Sequence, residues 1–432
     1  MTTQLFYAST LYGAVTLAAA LDNGCFPPAG RRLLLVANNA AIPETAVPLD
    51  RMPGFERLRG RFDSVLSWND TVAPFHPGAW SPRPDDVPLW ERYLRLLWGL
   101  GEDEPVELVV ESLQVAPALT VAQLFPDAPI DVYADGLMSY GPTRVKLDPL
   151  VGERVRRLLH LDLVPGLRPL LLEEFGAVPE IVPTEAFTKV ADELDEPVDA
   201  PEGAALLLGQ YLSALGILSP AEEEALHVRM VRGAVARGHR HLVFKPHPVA
   251  PASWSRTLER EAAARGAELT LLDRPVLAEV LFRRLRPALV VACFSTGLFT
   301  AARFYGIPVA RLGTGPLLDR LSPYQNSNRV PVTLADALLP DLESGEAGEV
   351  QDLAGLLHAV GFAMQPQVRP DLRPAAERYL SAHRDAGTRR YFKRRRLTVL
   401  GLPGGLPVPR NALVRRLARR ARRLQRAVLR AS

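Results

Sequence analysis

Three short segments of this chain set chemically able side chains beside residues that constrain the backbone. The first is YADG at 133–136, where Asp135 directly precedes Gly136. A carboxylate at the end of a strand can take a proton from a substrate hydroxyl, and Gly136 permits the tight turn that would expose it. An ordinary Asp-Gly turn is the other reading. The second is FKPHP at 244–248, in which prolines on both sides fix the backbone around His247 and the first holds Lys245 extended. A compact cation and an imidazole at one loop suit a phosphate leaving group. A metal site of His239, His241 and His247 is the rival, although no recognised ligand spacing relates them. The third is CFSTG at 293–297. Ser295 and Thr296 bring hydroxyls to what reads as a helix start, whose free N–H groups and dipole favour an anion; plain capping needs only one hydroxyl.

These segments need a scaffold that brings strand ends together. QLFYAST (4–10), LLLVAN (33–38), DSVLSWND (63–70), VELVVES (106–112) and IDVYADG (130–136) read as strands, with helices over 13–24, 89–101 and 116–125. After 192–203 the alternation restarts. AALLLGQ (204–210), HLVFKPHP (241–248), ALVVACFSTG (288–297) and PVARLG (308–313) read as strands. Helices are expected over 219–238, with Ser219 as N-cap, over 253–267, and over LFTAARFYG. Alternation of this kind predicts an α/β chain with parallel sheets covered on both faces. The break, DELDEPVDAPEG, holds six acids, two prolines and a glycine and reads as a solvated linker. The expected domains are 1–191, the linker 192–203, 204–388, and a tail 389–432. Ligands in such sheets bind beyond the carboxyl ends of the strands, so the three segments would face a cleft. Asp70 and Glu111 also end strands and stand as reserve carboxylates. Ser9 and Thr10 end the first strand, to touch an acceptor or to cap the helix that follows.

Composition bounds the function. With 432 residues, 47% apolar and 23% charged, the chain has ample core for two or three domains. Two cysteines, Cys25 and Cys293, make no disulfide framework and fit a reducing compartment. The uncharged first 21 residues lack the basic start of a signal peptide, and no run is long and apolar enough to span a bilayer. The net charge of +3 hides an asymmetry: residues 389–432 hold 15 basic side chains and no acid, leaving 36 basic against 48 acidic in residues 1–388.

In their order and setting the three motifs resemble those of the bacterial sialyltransferases with two Rossmann-like domains (GT-B). These carry a D/E-D/E-G motif in the first domain, then HP and S-S/T motifs in the second. The chain is most similar to the bacterial α-2,8-polysialyltransferase family over roughly residues 4–340, including the opening FYAST-LYGAVTLAAAL and the GQ of LLLGQ. It departs where Ala134 replaces the first acid, leaving Asp135 as the base. The resemblance implies an inverting, metal-independent transfer of sialic acid or a related nonulosonic acid from a CMP donor to a glycan hydroxyl, with no cofactor. Cytidine would lie near Gly209 and Gln210. His247, Ser295 and Thr296 would hold the phosphate with help from Lys245, and Asp135 would deprotonate the acceptor. Another nucleotide-sugar transferase or epimerase, and a non-catalytic glycan-binding member, remain the alternatives.

In the tail, Leu413, Leu417, Ala421, Leu424 and Val428 recur at helical spacing among seven arginines from Arg415 to Arg426. A basic amphipathic helix of this kind suits an anionic membrane first and nucleic acid second; docking on the acidic body is the third reading. The expectation is a cytoplasmic enzyme held at the inner face of the cell membrane, with a lipid-linked or other glycan acceptor, serving capsule or surface polysaccharide synthesis. Nucleic acid is not the expected partner.

Overall fold

The computed structural model describes residues 2–134, 136–210, 212–246, 252–348, 350–383 and 385–406. Two sheets organise them, and every strand pair is parallel. The first contains β1 (Thr3–Ala8), β2 (Arg31–Val36), β3 (Ser64–Ser67), β4 (Val106–Glu111), β5 (Ile130–Tyr133), β6 (Val155–Leu161) and β7 (Val178–Val182). Their spatial order is β3-β2-β1-β4-β5-β6-β7. The second contains β8 (Ala205–Leu208), β9 (His241–Lys245), β10 (Glu268–Leu271), β11 (Leu289–Ala292) and β12 (Val309–Arg311), ordered β10-β9-β8-β11-β12. The expected strands are all present. β6, β7 and β10 were not legible: their buried and exposed residues mix without a clear period.

Strand alternation builds the layers. Along β1, Leu5 and Tyr7 join a core shared with the helix Ala118–Leu124, whereas Phe6 and Ala8 point into the opposite core with the helix Leu11–Asp22. That second core continues without a break into the strands β8 and β11 of the other domain. Local signals fix the helix starts. The Thr10 hydroxyl accepts from Gly13 N at 3.0 Å, and Ser219 with Glu222 closes a capping box on the helix Pro220–Ala236.

Both sheets reverse their strand order once, between β1 and β4 in the first and between β8 and β11 in the second. Crevices open at such reversals. Ser9 and Glu111 lie at one reversal; Gly209, Gln210 and the segment 293–296 lie at the other.

Two expectations about the connections need correction. The segment 192–203 is not freely solvated. Asp192 pairs with Arg283 at 3.0 Å, Glu202 with Arg286 at 3.3 Å, and Asp195 with Arg284, so the acids strap the linker to the helix Ala278–Leu285 and its end. Nor does a separate tail begin at 389. Tyr391, Phe392, Leu397 and Leu402 are buried. Lys393 Nζ donates to Leu321 O at 2.8 Å, Arg396 Nε to Ala363 O at 2.7 Å, and Arg390 pairs with buried Asp336. Through residue 406 the basic segment is therefore docked on the body. The tail's helical stripe from Leu413 lies outside the described residues. The helix Leu353–Met364 and its extension also return to the first domain, where Gly361 packs under Leu170 and Arg369 reaches Glu173 at 2.8 Å.

Candidate active site in the interdomain cleft

A cleft of about 880 Å³ separates the two strand-end surfaces. Leu137 and Met138 line it from the first domain, directly after Gly136. Gln210, Phe294, Ser295 and Thr296 line it from the second, with Asn328 beside them. Gly136 has φ +111°, and a Cβ there would lie 2.5 Å from Thr296 Oγ1. Only glycine allows both that backbone and that approach. The Thr296 hydroxyl also accepts from Leu137 N at 3.4 Å, so the first and third motifs touch across the cleft.

On the second-domain side, Ser295 is the N-cap of the helix Thr296–Phe304, its Oγ accepting from Gly297 N at 3.2 Å. Capping uses a lone pair and leaves the hydroxyl proton available to an incoming oxyanion. Gln210 is committed differently from expectation. Its Oε1 accepts from Cys293 N at 3.2 Å and Phe294 N at 3.0 Å, so it shapes the turn after β11 while still lining the cleft. Gly209 N donates to Lys245 O at 2.9 Å, and a Cβ on Gly209 would come within 3.0 Å of Phe244. These contacts tie the ends of β8 and β9 together.

Lys245 is half-buried at the end of β9. Burial lowers its pKa, partly opposed by the charge of Glu279. Glu279 is itself buried, its acidity weakened by burial, and accepts from Thr300 Oγ1 at 2.7 Å. Nothing in the helix sequence AEVLFRRL distinguished this glutamate from a surface acid.

On the first-domain side, Glu111 sits at the strand-order reversal as a buried carboxylate. It accepts from Ser9 N at 3.3 Å, from Ser9 Oγ, and from the Tyr133 hydroxyl at 3.2 Å. Tyr133 also lies 3.0 Å from Tyr7 O. Burial and the Glu111 charge push the Tyr7 phenol far up, against the hydrogen bond that it receives from Asn39. Sequence reading placed Ser9 and Glu111 but missed Tyr133, whose hydroxyl reaches Glu111 and the Tyr7 carbonyl, and the pair in which the Asn39 amide donates to the Tyr7 hydroxyl; these contacts exist only once neighbouring strands align. Thr10 serves as a helix cap. Asp70 is exposed and lines a neighbouring cavity rather than the cleft. Asp135 and His247, the expected base and phosphate donor, lie outside the described residues. Among the described residues no group of three or more His, Cys, Asp or Glu is placed to hold a metal ion, and no helix is long and apolar enough to cross a membrane.

A sequence model of α-2,8-polysialyltransferase (POLYST) matches residues 4–314, most of the chain and all three motifs. The chain belongs to the α-2,8-polysialyltransferase family. It is accordingly a sialyltransferase-type glycosyltransferase, and its two Rossmann-like domains about a cleft form the GT-B arrangement. No curated protein matches it in sequence. Among solved structures it is similar to an S. aureus MnaA–UDP complex, at 14% identity and TM-score 0.45, covering 86% of this chain and 97% of that one. It is also similar to Acinetobacter baumannii MurG, at 11% identity and TM-score 0.39, covering 90% and 97%. A Thermobaculum terrenum O-GlcNAc transferase mutant matches at 15% identity and TM-score 0.35, covering 90% and 68%.

Proposed function

We propose that this polysialyltransferase-family enzyme transfers sialic acid, or a related nonulosonic acid, from a CMP donor to a hydroxyl of a glycan acceptor, with inversion. The observation that carries the reading is the meeting of the Gly136–Leu137 turn with Ser295 and Thr296 across one cleft. Asp135 precedes that turn in sequence. In the proposed step the acceptor oxygen bonds to the anomeric carbon as the carbon–oxygen bond to CMP breaks. The acceptor proton passes to Asp135, and the electron pair leaves with the phosphate. Ser295 and Thr296 donate to that phosphate beside the positive end of their helix, and His247 and Lys245 supply further positive character. These groups meet the charge without a divalent ion, so turnover is expected to persist in EDTA.

The setting proposed is synthesis of a surface polysaccharide at the inner face of the membrane, with residues 407–432 rather than 389–432 providing attachment. The deciding measurement is release of CMP from CMP-sialic acid in the presence of glycan acceptors, alongside thermal stabilisation by CMP and by UDP. Turnover with selective stabilisation by CMP supports the reading. Stabilisation by UDP alone, without turnover of CMP-sialic acid, assigns a different donor.

A further inference from the structure

Among the described residues that line the cleft, none is charged, and each polar side chain makes at least one hydrogen bond with a single exception. Asn39 donates to the Tyr7 hydroxyl at 3.3 Å and Thr45 Oγ1 to Ile42 O at 2.8 Å. Gln210, Ser295 and Thr296 accept from backbone N–H groups. The exception is Asn328, only 8% exposed, whose amide lines the cleft and meets no partner among the described residues. Asparagine is a preferred helix N-cap, and Asn328 directly precedes the ten-residue helix Arg329–Leu338, yet its side chain makes no capping bond. Its backbone lies at φ −72°, ψ −9°, whereas a capping residue is extended. Asn328 also lies beyond residues 4–314, the part matched by the family model.

The surroundings hold this amide in place and make its setting positive. Asn328 N donates to Asn326 Oδ1 at 3.0 Å, and Arg329 N to Asn326 O at 3.0 Å. Arg329 is fully buried; its Nε donates to Tyr324 O at 2.8 Å and its Nη2 to Leu321 O at 3.0 Å, with the guanidinium carbon 4.0 Å from the centre of the Tyr324 ring. Its acceptors are carbonyls, and among the described residues no carboxylate pairs with it. The helix is seated against the Leu137–Tyr140 turn of the first domain, where a Cβ on Gly141 would lie 3.2 Å from Val330 Cγ2. A buried amide without a partner destabilises the empty protein, and a ligand that accepts its hydrogen bond offsets that loss. The positive helix end and the unneutralised guanidinium behind it select an anionic acceptor.

We propose that Asn328, at the start of the helix Arg329–Leu338, binds the carboxylate of the donor sugar and so selects a nonulosonic acid over sugars that lack one. The proposal rests on the transfer reading given above and names the residue that recognises the sugar. In that reading Ser295 and Thr296 take the phosphate. The other anion of the donor is the carboxylate on the anomeric carbon, the same carbon that bears the phosphate oxygen. A group that binds it must therefore share the phosphate's cleft, as Asn328 does. Asn328 Nδ2 donates to a carboxylate oxygen, a charge-assisted bond that a neutral substituent at that carbon does not supply.

The test is calorimetric titration of the full chain with two ligands, CMP and the slowly cleaved donor analogue CMP-3-fluoro-sialic acid, which differ by the sugar and its carboxylate. Asn328→Ala should weaken the analogue by about tenfold, the loss of one hydrogen bond to a charged group, and leave CMP unchanged. Asn328→Asp should weaken the analogue further, because it sets one carboxylate against another. Neither variant is expected to lower the thermal midpoint: alanine removes an amide that has no partner, and aspartate is favoured at a helix start. In turnover the donor KM should rise and the acceptor KM should stay. Equal weakening of CMP and the analogue by Asn328→Ala places Asn328 on the nucleotide and overturns the proposal. A rise in acceptor KM alone places it on the acceptor and overturns it too, as do unchanged affinities for both ligands. The unaltered chain separates this failure from failure of the transfer reading. If it binds both ligands and the variants do not distinguish them, the carboxylate site alone is rejected; if it binds neither, the CMP donor is rejected and the site with it.

Discussion

Replacing Gly136 by alanine tests whether the two domains meet as described. The added Cβ faces two separable penalties. Backbone at φ +111°, ψ −142° lies in a region that L-residues rarely occupy, which costs about 1–3 kcal/mol. The methyl would also sit 2.5 Å from Thr296 Oγ1 and 3.0 Å from Thr296 Cγ2, an overpacking worth about 1–3 kcal/mol more. The second penalty belongs to the opposite domain and is largely relieved if Thr296 is shortened to alanine, whose remaining Cβ lies 3.2 Å from the added methyl. A double-mutant cycle with Thr296→Ala should therefore return about 1–3 kcal/mol as coupling, while the backbone penalty persists in the double variant. Calorimetric unfolding of the four proteins reads both parts. CMP titration of the same set reports the functional consequence, since Thr296 lines the cleft. Zero coupling, with Gly136→Ala as stable as the parent, would show that the Gly136 turn and the Thr296 helix do not touch and would refute the reasoning.

Glu111→Gln should destabilise by about 1–3 kcal/mol in equilibrium denaturation, because its amide offers one acceptor oxygen to three converging donors and adds two donors of its own; an unchanged midpoint refutes this. His227 is buried against Phe244 and Trp254, and burial pushes its pKa down to about 4. Its folded pKa is below the unfolded value of about 6.5, so its contribution is complete above that pH and is lost as pH falls from there towards 4, by about 3 kcal/mol in all. His227→Phe should flatten that part of the stability–pH curve, and an unaltered slope counts against it. Ending the chain at 388 removes four buried apolar side chains, Tyr391, Phe392, Leu397 and Leu402, each worth about 1.5–3 kcal/mol, and should unfold or strongly weaken the second domain. Ending it at 406 should keep thermal stability while reducing co-sedimentation with anionic liposomes; equal pelleting of the 406-residue and full chains rejects membrane attachment through 407–432.

Much of this architecture was legible because its signals are local. Continuous apolar runs such as LLLV and LVVA read as strands buried on both faces, as β2 and β11 are. Ser219 followed by Pro220 and Glu222 specifies a helix start in four residues. The order of YADG, FKPHP and CFSTG was likewise enough for the resemblance to the family that the chain belongs to. Where charge and mixed polarity were the only signals, reading failed. The acids of 192–203 suggested solvation, and the bases from 389 suggested a free tail, because sequence records charge without its partner.

Partners at long range were decided by the tertiary structure alone. The Glu111 carboxylate gathers Ser9 and Tyr133 because the sheet seats β4 between β1 and β5, side by side though Ser9 and Glu111 are 102 positions apart in the chain. Glu279 faces Lys245 from another element, and Gln210 spends its acceptor on the turn after β11. Gly136 shows both sides of the division. Sequence determined that a turn follows β5, because glycine alone tolerates that φ at little cost. That the same glycine must also clear Thr296, 160 residues on, followed only from the packing of one domain against the other. Hydrogen bonding and steric exclusion act through space at a few ångströms, and only the fold fixes which residues come that close.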